Sequence, residues 1–366
     1  MTVTDELRGV VRSFLSARPG APWAAFAGEL GLAGLAVPEE YGGAGCGARE
    51  VAAVAEELGR ALSPHPFLQT AVLAVAAVRA GGDEAAMARL LPALASGEVT
   101  ATVLLPGDGE LRLEDGLLTG SAPYALEGEL VLAYAGGLLV EAVPTRRVRH
   151  RTMDESRPLT GLRFDRVPVR RAGSGRAWER VRDLGIAALA AEQVGGAARC
   201  LEMATAHARG RHQFGRPIGA FQAIKHKLAD LLLLVESARS AALAAAEAGD
   251  RAYESAGDEA GDRAYDCAGR GTGDNADGST GGSTGGSTGD SAGGGPGDAL
   301  GTYAAVAGSY CSEAYLAAAG ENIQIHGGIG VTWEHPAHRY FKRATSDAQL
   351  FGPPRAHRAR LEARVL

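Results

Sequence analysis

Positive charge is what this chain lacks most plainly. Across 366 residues, 37 lysines and arginines face 43 aspartates and glutamates, a formal charge of −6. That balance leaves no basic footprint and argues against nucleic acid as a partner. Cysteine is almost as scarce. Cys46, Cys200, Cys267 and Cys311 stand far apart with no Cys-x-x-Cys pair, so neither a zinc site nor a disulfide framework is expected, and free thiols in a reducing cytoplasm are. Nowhere do about 18 apolar residues run uninterrupted, so no membrane span is expected. Residues 1–10 carry Asp5, Glu6 and Arg8 where a signal peptide needs an apolar core. The expected location is the cytoplasm.

The chain is long enough for two or three domains. Residues 1–98 are rich in Ala, Leu and Glu, with apolar positions at helical spacing, as at Val51, Val54, Leu58 and Leu62. Val37-Pro38-Glu39-Glu40-Tyr41-Gly42-Gly43 interrupts them as a loop. Residues 99–176 hold short apolar runs (Ala101–Leu105, Leu130–Tyr134, Leu138–Val140) between Gly, Pro and Asp, which predicts a small β-domain. From 177 to 366 the texture is helical again. A stripe of Leu184, Ala188, Ala191, Val194, Ala198 and Leu201 predicts a helix that Gly210 ends; further helices carry Ile224 to Ala238 and Leu300 to Ala319. Alanine-rich helices pack closely, so a bundle is expected. Residues 250–298, with a Gly-Ser-Thr repeat at their centre, lack apolar anchors and are expected to form a disordered insertion.

Two glycine-bearing loops stand out, each after an alanine-rich run: Arg211-His212-Gln213-Phe214-Gly215-Arg216-Pro217-Ile218-Gly219 and Gln324-Ile325-His326-Gly327-Gly328-Ile329-Gly330. The Arg211 guanidinium offers forked donors matched to phosphate oxygens. Phe214 can stack on or wall off a planar ring, and Gln213 and Gln222 can hydrogen-bond a heterocycle or phosphate. At Gly327 and Gly328 the backbone can approach a ligand that any Cβ would block. Singly, each is an ordinary surface or turn residue; together they predict a phosphate-bearing cofactor.

These stretches resemble the acyl-CoA dehydrogenase family. Arg-x-x-Phe-Gly-x-x-Ile-x-x-Phe-Gln followed by Leu228-Ala229-Asp230 is similar to that family's first helical signature. Gln324 to Gly330, running on to Trp333-Glu334-His335-Pro336 and Phe341-Lys342-Arg343-Ala344, is similar to the second. Val37–Gly43 and Glu56-Glu57-Leu58-Gly59 resemble its N-terminal part. The resemblance implies an α+β multi-domain fold of N-terminal helices, a middle β-barrel and a C-terminal four-helix bundle. It implies an oxidoreductase that binds FAD and desaturates an acyl thioester. It also implies a homo- or hetero-oligomer, dimer or tetramer, with an acyl-CoA dehydrogenase homologue. Arg211, Gln213, Phe214, Gln222, Gln324, Gly327 and Gly328 would then contact the pyrophosphate and adenosine end of an FAD lodged mainly in a neighbouring chain.

The chain departs from the family where the chemistry is done. Abstraction of the substrate α-proton needs a carboxylate within reach. The family keeps its glutamate at one of two positions, occupied here by Phe351 and Gly185. Asp183 is the nearest carboxylate, but two residues turn a helix by about 200°; Glu179 lies six residues early. Both read more simply as charges at a helix start. The segments that usually hold the flavin ring are replaced by Leu105-Pro106-Gly107-Asp108-Gly109-Glu110 and Tyr124-Ala125-Leu126-Glu127-Gly128, and Pro353-Pro354 follows Gly352. The catalytic base is therefore unassigned. The expected role is a subunit lending the nucleotide half of an FAD site to a partner that carries the base, as in the paired unlike subunits of actinobacterial relatives. The alternatives are a self-sufficient flavoprotein acting on a carrier-bound thioester and a flavin-free scaffold subunit.

Overall fold

A computed structural model describes residues 2–268 and 296–365, with the side chains of 254–298 left out. The first 95 residues are helical. α1 (Val3–Ala17) starts at a capping box in which Thr2 and Asp5 serve each other's backbone amides. α2 (Trp23–Leu30) and α3 (Ala48–Arg60) follow. The α3 stripe of Val51, Val54 and Leu58 is buried, as its spacing predicts. Residues Leu68–Ala74 form a π-helical turn running into α4 (Val75–Gly81), and α5 (Glu84–Ala95) closes this part.

Seven strands come next: β1 (Ala101–Leu104), β2 (Glu110–Glu114), β3 (Leu117–Leu126), β4 (Leu130–Ala135), β5 (Leu138–Ala142), β6 (Arg146–Arg149) and β7 (Leu159–Ser174). Their order is β1-β4-β5-β7-β3-β2, with β6 also on β7. β1 and β4 are parallel; the other pairs are antiparallel. The 16-residue β7 pairs with β3 and β6 along its first half and with β5 along its second, so the sheet curls around it. Leu104, Leu118, Val131, Val140, Leu162 and Phe164 fill the inside of the curl. The opposite face of β1, β4 and β5 joins the core made by the N-terminal helices, through Val103, Leu132 and Leu139.

The C-terminal helices are α6 (Trp178–Gly210), α7 (Gln222–Ala268), α8 (Pro296–His326), α9 (Ala337–Asp347) and α10 (Pro354–Val365). Alanine lets α6, α7 and α8 approach closely: Ala187, Ala190, Ala238, Ala242, Ala307 and Ala314 form one all-small core. Glycine brings α6 against α3. A Cβ on Gly59 would lie 1.9 Å from the Glu192 carbonyl oxygen, and one on Gly195 would lie 1.8 Å from that of Glu56. The described part of 250–298 is helical, where composition predicts a loop. α7 continues through 250–268 because its extension is anchored: Asp250 pairs with Arg49, Ala252 is buried, and the Arg79 guanidinium lies 4.7 Å over the Tyr253 ring. The Gly-Ser-Thr repeat lies outside the described residues.

Candidate functional site

The two glycine loops meet at one end of the bundle. The ring of His207, one turn before Arg211, lies 4.3 Å from that of His326, and the His335 ring lies 4.2 Å from His326, both pairs tilted. Beneath them Ala204, Ala208 and Ile325 form a small core with Ile218, Ile224 and Leu228. The end of α6, the first loop, the start of α7 and the end of α8 are thus one packed unit. Burial, then the neighbouring His326 charge, pushes His207 and His335 below the usual imidazole range.

The first loop is a two-strand hairpin in which His212 pairs with Pro217 and Gln213 with Arg216. Phe214 and Gly215 at its tip have φ of 52° and 74°, the positive pair that a tight hairpin turn requires. Phe214 accepts this costly conformation while 92% exposed. Its ring meets Phe221 edge-on at 6.1 Å, and the Arg216 guanidinium sits 4.1 Å over Phe221. Arg211 is exposed and makes no ion pair among the described residues; Gln213, Gln222 and Gln324 are exposed too. A Cβ at Gly327 or Gly328 would meet nothing within 4 Å, so the chain's own packing demands no bare backbone at Gly328. Bare backbone, an unpaired guanidinium and exposed carboxamides, that of Gln222 lying 3.5 Å from His226 Nε2, fit the phosphate-bearing tail of a cofactor. The structure brings all seven predicted residues to one exposed end.

The two family carboxylate positions also converge, and they are filled. A Cβ built on Gly185 would lie 3.0 Å from Phe351 Cζ and 2.6 Å from Leu73 Cδ2. Phe351 itself has φ 58°, and its ring packs on the main core. Leu73 belongs to the π-helical turn, an irregularity often found at functional sites; nothing in its sequence context marks it. The Phe351 and Leu73 side chains thus occupy the space beside Gly185. Asp183 lies on another face of α6, buried, accepting from Arg182 Nε at 3.1 Å and Arg360 at 2.5 Å. Both contacts fall on Oδ1, so two guanidinia occupy this carboxylate. Glu179 is exposed, 3.6 Å from Arg182, whose guanidinium lies over Trp178.

Where the family's ring-side segments would lie, a cleft of about 460 Å³ is lined by Gly107, Tyr134, Gly137 and Trp178 among others. Burial raises the Tyr134 hydroxyl, which has no hydrogen-bond partner, and the Asp108 carboxyl. Tyr124 is 67% exposed, its ring tilted against that of His150 at 5.2 Å.

Behind the site lies a buried ionic network that sequence spacing does not reveal, since its members come from three separate stretches. Arg343 donates to Glu192 at 2.5 Å and to the Ser63 carbonyl at 3.1 Å, and its Nε lies 2.9 Å from Asp154. Arg157 donates to Glu192 at 2.6 Å and to Asp347 at 3.0 Å. Two guanidinia thus serve three carboxylates. Burial, partly offset by Arg157 and Arg343, raises the Asp347 carboxyl to about 7. The network ties the loop between β6 and β7 to α6 and α9.

Comparison with known proteins agrees with this architecture. Residues 5–98 match the N-terminal domain of acyl-CoA dehydrogenases and residues 183–261 their C-terminal domain. Acyl-CoA dehydrogenase IpdE2 of Mycobacterium tuberculosis is 32% identical over 346 residues, covering 94% of this chain and 86% of its own. Its namesake in Mycolicibacterium smegmatis is 32% identical over 364 residues, covering 99% and 93%. A variant of the Tcur3481-Tcur3483 steroid acyl-CoA dehydrogenase superposes with a TM-score of 0.75 at 26% identity, over 99% of this chain and 97% of that one. The ChsE4-ChsE5 complex of M. tuberculosis gives 0.77 at 24% identity, over 100% and 98%. The chain belongs to the acyl-CoA dehydrogenase family, whose members are flavin oxidoreductases, and it has that family's fold. Among the described residues no helix is long and apolar enough to cross a membrane, and no cluster of side chains could hold a metal ion.

Proposed function

We propose that this chain is the supporting subunit of an FAD-dependent acyl-CoA dehydrogenase. It lends Arg211, Gln213, Phe214, Gln222, Gln324, Gly327 and Gly328 to the nucleotide tail of a flavin seated in a partner chain. The partner carries the base and acts on the acyl thioester. The flavin supplies the redox chemistry; this chain supplies position and charge for the phosphates. The division into three parts near residues 98 and 176 goes with this reading.

The observation that carries it is the packing of Phe351 and Leu73 on Gly185. Side chains occupy the point where a carboxylate must meet an α-carbon, and the nearest buried acid, Asp183, is held by Arg182 and Arg360. The side chains of Arg211, Gln213, Phe214 and Gln324, by contrast, stay exposed, as a surface awaiting a neighbour would. The Tcur3481-Tcur3483 enzyme and the ChsE4-ChsE5 complex each pair two named chains, which supports a partner of the same family.

The test is spectroscopic. The chain is purified alone and after co-expression with a homologue that carries the glutamate, and visible absorption is recorded before and after adding an acyl-CoA. The expected result is a colourless chain alone and a yellow complex that bleaches. A chain that is yellow alone and bleaches with an acyl thioester would sink the proposal in favour of a self-sufficient flavoprotein. A colourless complex would leave the scaffold reading.

A further inference from the structure

Charge along the chain is far from even. Residues 146–176 contain ten arginines, no lysine and three carboxylates (Asp154, Glu155, Asp165), a surplus of seven positive charges in a chain whose total is −6. Arg157 and Arg147 are engaged, the first in the buried network and the second on the carbonyls of Gly128 and Glu129. Others have no such task. Arg146 on β6 stands directly opposite Arg163 on β7, both are exposed, and neither makes an ion pair among the described residues.

Like charges directly opposed in an antiparallel pair destabilise it. A solvated edge strand is protected by single charges and has no need of such a pair. The surroundings are equally specific. Strand alternation places Val148 and His150 on the same face as Arg146. Val148 lies opposite Gly161, where a Cβ would be 3.1 Å from His150 Nε2. The missing side chain leaves His150 room to pack, tilted, against the exposed Tyr124. A bulge at Asp165-Arg166, two residues facing Thr119, puts Arg166 at φ 50°, a conformation that non-glycine residues rarely accept without cause.

We propose that this outer face of β6 and β7 is a docking surface for an acidic protein partner. Arginine interleaved with exposed Tyr124 and Val148 is the composition of a protein interface. The 13 net negative charges on the rest of the chain disfavour a nucleic acid polyanion, and the exposed positions of Arg146 and Arg163 suit a broad protein surface better than an enclosed small anion. The surface pairs with carboxylates that relieve the Arg146–Arg163 opposition, while Tyr124 and Val148 supply apolar area.

The test uses the full chain and a fluorescent synthetic peptide alternating glutamate with tyrosine. Binding is expected to weaken as salt rises from roughly 0.05 to 0.3 M. Arg146→Glu or Arg163→Glu is expected to weaken it by about ten-fold or more, and Arg355→Glu on α10 to leave it unchanged. Arg163→Glu should not lower the melting temperature, since it places a carboxylate opposite Arg146; this separates lost docking from lost folding. Absence of peptide binding, equal effects of all three reversals, or preferential displacement of the peptide by duplex DNA or pyrophosphate would each overturn the proposal. Flavin content of the co-expressed complex is read in parallel, so failure here is distinct from failure of the subunit assignment.

Discussion

Replacing Arg343 by methionine should cost more than any other single change in the C-terminal helices. The side chain is 1% exposed and links α9 to α6 through Glu192, to the β6–β7 loop through Asp154 and Ser156, and to the segment after α3 through the Ser63 carbonyl. Without it Glu192 keeps Arg157. Asp154 loses its cation, and a single guanidinium is left for three buried carboxylates. Removing one partner of a buried ion pair typically costs about 3–5 kcal/mol, because the other is stranded. The loss should sit near that range and be measurable as a shift in urea midpoint at pH 8. Adding Asp154→Asn removes the stranded charge and should recover part of the loss. The two changes should couple by roughly 0.5–3 kcal/mol in a double-mutant cycle. A loss under about 1 kcal/mol, or strict additivity of the two substitutions, would refute the view of Arg343 as the pivot of this network.

The network also predicts a pH dependence. Burial raises Asp347 to about 7 from an ordinary 3.8, so between these values the folded chain holds a proton that the unfolded chain releases, and stability falls as pH rises through that window. Asp347→Asn should therefore match the parent near pH 4 and exceed it in urea midpoint at pH 8; a variant less stable at pH 8 would contradict the sign. Gly185→Ala should cost about 1–3 kcal/mol by overpacking, read by thermal melting and relieved by Leu73→Ala, whose Cδ2 is the nearest atom. Arg211→Ala should weaken flavin retention in the co-expressed complex by more than ten-fold if its phosphate contact contributes about 1.5–3 kcal/mol. Unchanged flavin stoichiometry would count against the nucleotide-side assignment.

Much of the fold was legible because burial is periodic over short stretches. The stripe of Val51, Val54 and Leu58 marked α3, Gly210 marked the end of α6, and the short runs at 101, 130 and 138 marked strands. What escaped depends on contacts distant in sequence. The continuation of α7 past residue 250 rests on Arg49 and Arg79, far away in sequence in α3 and α4 and unmarked by local composition. The π-helical turn at 68–74 has no simple pattern. The site shows the same division. Counting from motifs found that Phe351 and Gly185 stand where carboxylates are expected, but only the tertiary structure puts the ring of one against the bare backbone of the other. Asp183 was visible as an acid near a helix start, and its capture by Arg360 from the last helix was not.

The reciprocal glycines at the α3–α6 crossing have a mechanical consequence. With Gly59 seated on the Glu192 carbonyl and Gly195 on that of Glu56, the two rods interlock without a lubricating layer of side chains, and neither can slide along the other. Amides at that seam should exchange hydrogen only on global unfolding. Whatever enters or leaves the fold must therefore pass at its rims, never through a gap opened along this seam.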